Sequence, residues 1–155
     1  MVVNYDVQNQ VATVTLNRPD SLNAMTTELM SGISQALERV SGDDDVRVVV
    51  LTGAGRGFCS GADLTAVAGG ANDSPASSDT AGATEQPAEG TFNSAMRALM
   101  DCPVPTIARV NGAAAGGGFG LALACDITVA AESAFFVATF GPRLGIVPDL
   151  SLIHI

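Results

Sequence analysis

Residues 111–125 read Asn-Gly-Ala-Ala-Ala-Gly-Gly-Gly-Phe-Gly-Leu-Ala-Leu-Ala-Cys, with three consecutive glycines at Gly116, Gly117 and Gly118. An apolar run that is compatible with a helix follows at 121–124. Glycine costs backbone entropy and offers no side chain for packing, so a triplet is favoured where the backbone approaches another group closely. Free N–H groups at the start of a helix bind an anion, or an oxygen that becomes negative during a reaction. The alternative is a glycine hinge that lets a helix and a strand pack together.

The composition restricts the class of protein. The 155 residues are 47% hydrophobic and have a formal net charge of −9, and all seven basic residues are Arg. This length is enough for one domain with a hydrophobic core. An acidic chain without Lys is a poor partner for polyanions, so we expect no binding to nucleic acid. No apolar run reaches the length of a membrane span and Met1 begins no signal peptide, which predicts no membrane association and a cytoplasmic location.

The cysteines and the single histidine argue against two kinds of site. Cys59, Cys102 and Cys125 show no Cys-x-x-Cys spacing, so we expect neither a metal site nor a disulfide framework. The only His is His154, next to the last residue. A Ser-His or Cys-His nucleophile pair is therefore not expected.

Hydrophobic periodicity predicts an α/β fold with a sheet at its centre. Residues 2–7 and 11–16 alternate polar and apolar as in a hairpin. Thr26 is a suitable N-cap for a helix that ends at Gly42. The run 46–52 is typical of a strand buried on both faces, as in a parallel sheet. Further elements are predicted as strands at 106–110, 126–130 and 135–138 and as a helix at 92–100.

A second glycine-rich turn occupies 53–64, Gly-Ala-Gly-Arg-Gly-Phe-Cys-Ser-Gly-Ala-Asp-Leu, directly after a predicted strand. It is not a dinucleotide fingerprint, because Phe58 stands at the third glycine position, and it lacks the Gly-Lys pair of a P-loop. Asp63 either caps a short helix at 64–68 or contacts substrate directly. The Ala, Gly, Ser, Thr, Asp and Pro residues of 69–90 predict a long flexible surface loop, which is either a lid or a tolerated insertion.

The two glycine turns together suggest a reaction class. Both follow strands and lead into helices. If the two strands lie in neighbouring layers, one backbone N–H from each turn can bind a single oxygen, as a carbonyl that becomes an enolate requires. Because no Ser-His or Cys-His pair accompanies them, enolate chemistry is favoured over acyl transfer.

Several motifs within residues 2–149, in this order, resemble the crotonase (enoyl-CoA hydratase/isomerase) superfamily: Leu16-Asn17-Arg18-Pro19, Leu22-Asn23-Ala24, Leu51-Thr52-Gly53, Gly61-Ala62-Asp63-Leu64, Asn111-Gly112 with the glycine triplet, and Cys125-Asp126-Ile127. The resemblance implies a crotonase-like ββα spiral that binds an acyl-CoA thioester. Coenzyme A is then part of the substrate, and no separate cofactor is implied.

The resemblance also implies which residues stabilise the oxyanion and which bind the substrate. The two oxyanion donors would be the backbone N–H groups of Ala62 and Gly117. The substrate-binding positions would be Ser21, Leu22, Ala24, Ser60, Gly61, Asp63, Leu64 and Gly116.

The chain departs from the family pattern at the positions of the two catalytic glutamates. Hydratases of the family carry a catalytic Glu at the position of Gly120, and a second Glu usually follows a Phe-Gly segment that reads here, at 139–143, Thr-Phe-Gly-Pro-Arg. The segment 145–149, Gly-Ile-Val-Pro-Asp, resembles the isomerase members, including the epoxyphenylacetyl-CoA isomerases. Asp149 is either a single catalytic base or a structural cap. This predicts an acyl-CoA isomerase; the alternatives are an enoyl-CoA hydratase and a catalytically silent CoA-thioester-binding subunit.

The end of the chain carries a separate expectation. Residues 150–155, Leu-Ser-Leu-Ile-His-Ile, equal the in-frame translation of the transposase mosaic-end adapter CTGTCTCTTATACACATC. This predicts an acyl-CoA-binding core at 1–149 followed by a non-native tail, and the alternative is a natural short variant. The resemblance implies further C-terminal helices that complete the acyl pocket and build a homotrimer or a dimer of trimers. A chain without them is expected to expose apolar surface and to be inactive.

Overall fold

The computed structural model describes residues 1–63 and 87–138, except for the side chains of 87–92. The described residues form two sheets with helices packed against them. Their strands are β1 Val3–Gln8, β2 Val11–Leu16, β3 Val48–Gly53, β4 Gly57–Cys59, β5 Thr106–Val110, β6 Ala113–Ala115, β7 Ile127–Ala130 and β8 Phe135–Val137; their α-helices are α1 Thr27–Ser41, α2 Pro87–Met100 and α3 Gly117–Leu123.

The N-terminal hairpin and the first helix are confirmed. β1 and β2 pair antiparallel. Asn9 and Gln10 both have positive φ, 51° and 69°, as a type I′ turn requires. α1 has Thr26 as its N-cap, and the Thr26 side chain accepts a hydrogen bond from the Leu29 N–H at 3.2 Å. Its buried face consists of Leu29, Met30, Ile33, Ala36, Leu37 and Val40, and the helix ends at the predicted Gly42.

The larger sheet has the strand order β1-β2-β3-β5-β7. Beyond the hairpin every neighbouring pair is parallel, which confirms the prediction from the β-branched run at 46–52. β3 begins at Val48, and Val46 is buried in the preceding loop. The core is a continuous cluster that includes Leu16, Ile33, Leu51 and Leu121.

The smaller sheet, β4-β6-β8, is parallel. Of its strands the sequence predicts only β8, since β4 lies within the glycine-rich turn 53–64 and β6 directly precedes the glycine triplet. Three times along the chain, a strand of the larger sheet is followed by a strand of the smaller one: β3–β4, β5–β6 and β7–β8. This repeat is a ββα spiral, although the sequence shows no internal repeat. β3 and β5, which precede the glycine turns, are neighbours in one sheet rather than members of two layers.

Two helix boundaries correct the sequence predictions. α2 begins at Pro87, so residues 87–90 are helical and do not belong to the loop predicted for 69–90. α3 begins at Gly117, so two glycines of the triplet form its first turn instead of preceding it. The predicted helix at 64–68, the rest of that loop and the segments after residue 138 lie outside the described residues. Within the described ranges, every helix is too short or too polar to cross a membrane.

The last strand of each sheet in the described part of the chain is rich in exposed apolar side chains. On β7, Ile127 and Val129 are 53% and 54% exposed, and on β8, Phe135 and Phe136 are 55% and 41% exposed. Phe136 also contacts Phe119 of α3, with the ring centroids 5.3 Å apart.

A carboxylate fixes the turn between α3 and β7. Asp126 Oδ2 accepts hydrogen bonds from the Thr106 N–H at 2.7 Å and from the Thr106 hydroxyl at 2.8 Å. The Asp126 N–H donates in return to the Thr106 hydroxyl oxygen at 3.0 Å. These donors hold the pKa of the Asp126 carboxyl below its usual value, since they favour its charged form. The contact aligns the start of β7 with the start of β5.

We predict that Asp126→Asn destabilises the chain in a pH-dependent way. A carboxyl whose folded-state pKa is depressed contributes stability above its unfolded pKa of about 3.9, and the contribution is lost as the pH falls through the folded pKa. The difference in unfolding free energy between wild type and Asp126→Asn is therefore expected to be constant from about pH 5 to pH 7 and to shrink below about pH 4. Urea unfolding at a series of pH values measures it. Asp20→Asn, at an exposed carboxylate, is the control, and a pH-independent difference contradicts the assignment.

Candidate active site

The two glycine turns lie at the same edge of the smaller sheet. Because β4 and β6 are parallel, their carboxyl ends meet there. Ala62 follows the end of β4, and Gly117 follows the end of β6. A methyl group on Gly61 would lie 3.4 Å from the Gly117 nitrogen and 2.9 Å from the Ala115 carbonyl oxygen. The two turns are therefore in direct van der Waals contact.

A third segment, residues 21–25, runs parallel to the turn after β4. The Ser60 N–H donates to the Leu22 carbonyl at 3.0 Å, the Met25 N–H donates to the Gly61 carbonyl at 2.8 Å, and the Asp63 N–H donates to the Met25 carbonyl at 3.0 Å. Ala62 is thereby the parallel-bridge partner of Met25.

This pairing determines the direction of the Ala62 N–H. In this parallel bridge, Met25 makes both hydrogen bonds with its own N–H and C=O, and its partners are Gly61 and Asp63, the residues on either side of Ala62. The N–H of Ala62 itself takes no part in the bridge. The Ala62 N–H consequently points away from Met25, and β6 lies on that other side of β4. Ala62 is exposed although Gly61 and Asp63 are buried, so this amide is at an accessible point of the edge.

An ion pair reinforces the same contact. Arg18 Nη1 lies 2.9 Å from Asp63 Oδ2, and the two side chains are 22% and 8% exposed. The same nitrogen donates to the Ala24 carbonyl at 2.5 Å. The sequence predicts Asp63 as a helix cap or a substrate contact. Arg18 and Asp63 belong to separate motifs, and only the fold brings them together.

A buried and a half-buried amide side chain, Asn23 and Asn111, hold residues 53–57, which precede the turn after β4. Asn23 is fully buried, accepts a hydrogen bond from the Arg18 N–H at 2.8 Å and donates to the carbonyls of Ala54 and Gly57 at 3.0 and 2.9 Å. Asn111 also donates to the Gly57 carbonyl, at 3.2 Å, and accepts from the Gly53 N–H at 3.1 Å. Both Asn residues belong to the family motifs, but no pattern in the sequence predicts these contacts.

The backbone of residues 22 and 23 is strained to make these contacts. Leu22 and Asn23 have φ of 50° and 56°, in the left-handed region that side chains other than Gly, Asn and Asp rarely occupy. A leucine in this region, unlike Asn, persists only where the surrounding structure imposes the conformation.

The start of α3 packs tightly on the end of β4. Gly116 caps the helix with φ 51° and donates its N–H to the Val137 carbonyl at 2.9 Å. A methyl group on Gly118 would lie 2.1 Å from the Cys59 carbonyl oxygen, so only glycine allows this approach. Gly120, where the hydratase pattern has a Glu, is buried and donates its N–H to the Gly116 carbonyl at 3.2 Å.

The buried thiols of Cys59 and Cys125 are poor nucleophiles. Burial raises the pKa of Cys59 to about 11 and the pKa of Cys125 to about 12. Both therefore remain protonated near neutral pH, whereas the reactive form of cysteine is the thiolate. Among the described residues, no group of three or more His, Cys, Asp or Glu side chains could hold a metal ion.

The fold thus brings most of the sequence-predicted residues to one edge: Ser21, Leu22, Ala24, Ser60, Gly61, Ala62, Asp63, Gly116 and Gly117. Leu64 and Asp149 lie outside the described residues. The described part of the site is a set of backbone N–H groups beside an ion pair.

The described residues form a ββα spiral in which glycine turns from successive repeats meet at one edge. This is the architecture of a crotonase-like fold. The family model "Enoyl-CoA hydratase/isomerase" matches residues 6–155. The chain belongs to the enoyl-CoA hydratase/isomerase family, the crotonase superfamily.

Individual relatives agree with this assignment. Over 92% of the chain, it is 43% identical to the "1,2-epoxyphenylacetyl-CoA isomerase" of Escherichia coli, covering 52% of that protein. It is also 43% identical, over 92% of the chain, to the "Probable enoyl-CoA hydratase EchA14" of Mycobacterium tuberculosis, covering 51% of that protein. A crystal structure of an enoyl-CoA hydratase from Polaromonas sp. JS666 superimposes with a TM-score of 0.80 at 31% identity, over 95% of this chain and 54% of that one. The chain spans about half the length of the relatives it matches.

The contact between the two turns predicts a position-specific cost of a methyl group. Gly61→Ala places a Cβ against Ala115 and Gly117 at a residue with φ 92°, and we expect it to lower the unfolding free energy by about 1–3 kcal/mol. Gly42→Ala is the matched control, since its methyl group meets nothing closer than 3.8 Å. Urea unfolding of both variants measures the difference, and equal stabilities would refute the proximity of the turns.

Proposed function

We propose that the protein containing this chain is an acyl-CoA isomerase that stabilises a thioester enolate with the backbone N–H groups of Ala62 and Gly117. The observation that carries the proposal is the contact of the two turns through Gly61, together with the direction of the Ala62 N–H. Membership of the enoyl-CoA hydratase/isomerase family supports an acyl-CoA thioester as the substrate.

The proposed chemistry follows from the acidity of a carbon next to a thioester carbonyl. When a base removes a proton from the acyl chain, the electron pair of the C–H bond moves toward the carbonyl and leaves negative charge on its oxygen. Two preorganised amide donors stabilise that charge more than they stabilise the neutral thioester. One such donor contributes about 3–4 kcal/mol in acyl chemistry, so two donors lower the barrier substantially.

A single carboxylate suffices for isomerisation. The base accepts a proton from one carbon, the double bond shifts through the enolate, and the protonated base returns the proton to another carbon. We assign this role to Asp149 from the likeness of 145–149 to isomerase members of the family. The likeness to an epoxyphenylacetyl-CoA isomerase along 92% of the chain supports the isomerase class. No separate cofactor enters the scheme, because CoA arrives with the substrate.

The second candidate is an enoyl-CoA hydratase, which the relative of that name from M. tuberculosis favours at equal identity. Water addition with two carboxylates requires an acid where this chain has Gly120, which has no side chain. A catalytically silent CoA-thioester-binding subunit is the third candidate. For the complete protein, the same family likeness leads us to propose a homotrimer in the cytoplasm.

The test uses the product of the complete reading frame with trans-2-enoyl-CoA and 3-enoyl-CoA as substrates. We expect double-bond migration without net hydration, and a fall in kcat of about 10² or more in Asp149→Asn, because the amide cannot accept the proton. Asp101→Asn, at an exposed carboxylate on the turn after α2, serves as the matched control. Hydration alone identifies a hydratase, and binding without turnover identifies a silent subunit. An unchanged rate in Asp149→Asn excludes that residue as the base.

A further inference from the structure

We propose that the Arg18–Asp63 ion pair is a positioning pair that aims the Ala62 N–H at the thioester oxygen. This inference rests on the proposed function, since it assigns the pair a role only through that amide. The pair contacts the turn after β4 and the 21–25 segment, and it acts on the thioester only through the Ala62 amide.

The turn needs such a device because its own backbone is permissive. Gly61 has φ 92° and no side chain, so the peptide plane between Gly61 and Ala62 is not fixed by local sterics. Two backbone hydrogen bonds to Met25 flank Ala62, and Asp63 adds the side-chain anchor. Rotation of the plane would turn the Ala62 N–H away from the site, and it would have to break these contacts.

Arg18 is well placed to hold both sides of the contact. Its Nη1 atom contacts the Asp63 carboxylate in the turn after β4 and the Ala24 carbonyl in the 21–25 segment. Its own backbone is held by Asn23, which accepts the Arg18 N–H, and it precedes Pro19, which restricts its conformation. These contacts restrict the conformation of Arg18, so its guanidinium is preorganised for the ion pair with Asp63.

Because the pair is largely buried, disturbing its geometry costs more free energy than it would at an exposed site. Side-chain exposures of 22% and 8% mean that water replaces neither partner well. Neutralising one partner leaves the other charge poorly compensated. Lys at position 18 retains the charge but cannot reproduce the planar fork of guanidinium donors.

The expected signature is a loss in kcat rather than in substrate binding. The amide–oxygen hydrogen bond strengthens as negative charge develops, so a misaimed donor weakens the transition state more than the ground state. A displacement of about 1 Å at a reacting group costs up to about 10²-fold in rate. We expect Asp63→Asn to lower kcat about 10- to 100-fold, with KM changed less than about threefold.

A double-mutant cycle tests the route of this effect in the product of the complete reading frame. Replacing Ala62 by lactic acid converts its amide to an ester and removes only the N–H, and the same replacement at Ala131, whose N–H donates to Val110, is the control for ester substitution. If Asp63 acts through the Ala62 N–H, Asp63→Asn causes no further loss of kcat in the Ala62 ester background. Multiplicative losses in the double variant would overturn the proposal, because they would show independent action.

Two further variants keep the outcome interpretable. Arg18→Lys tests the pair without neutralising a charge and is expected to give a smaller loss of kcat than Asp63→Asn; if Asp63→Asn fails to fold, the cycle is run with Arg18→Lys. Asp20→Asn, an exposed acid beside Arg18 in the chain, is expected to match wild type. An Ala62 ester with full activity removes the proposed function itself. An Ala62 ester that is impaired while Asp63→Asn and Arg18→Lys are fully active removes only the positioning role.

Discussion

The contact between the segment 21–25 and the turn after β4 is the constraint on which the site depends. It consists of three backbone hydrogen bonds and one ion pair between parts of the chain that are distant in sequence. Without it, the turn at Gly61 would have many conformations of similar energy. With it, Ala62 becomes a bridging residue whose N–H faces the next repeat of the spiral.

The smaller sheet supplies the second half of that arrangement. Each repeat of the spiral adds one strand to each sheet, so the turns after β4 and β6 come to one edge by the topology alone. Small residues are required where they touch, since a methyl group on Gly118 would overlap the Cys59 carbonyl. The glycines thus serve close packing of α3 on β4, and this packing does not conflict with the proposed oxyanion role of Gly117.

Long elements with regular periodicity were predictable from the sequence. The hairpin, α1 and the parallel strands β3 and β5 follow from alternation, capping and β-branched runs. β4 and β6 were missed because each has only three residues, Gly-Phe-Cys and Ala-Ala-Ala, which are too few to show a periodicity. The first turn of α3 was missed because Gly disfavours helices on its own, and tertiary packing overrides that preference here.

The family motifs indicate positions that the fold brings to one edge, but they do not indicate the contacts between those positions. Family motifs indicated Ala62, Gly117 and their neighbours, and the fold brings their backbones together. Nothing local indicated that Arg18 pairs with Asp63 or that Asn23 and Asn111 share the Gly57 carbonyl, since a pairing between distant positions depends on topology.

The central claim is that the amides of Ala62 and Gly117 bind one thioester oxygen. Nuclear magnetic resonance of the ¹⁵N-labelled protein tests it directly, by titration with an acyl-CoA thioester and with the matching alkyl thioether, which lacks the carbonyl. If both amides bind the thioester oxygen, both amide protons shift downfield along a single binding curve when the thioester is added. Neither proton does so when the thioether is added. Downfield shifts of only one amide, or equal shifts with both ligands, would contradict it.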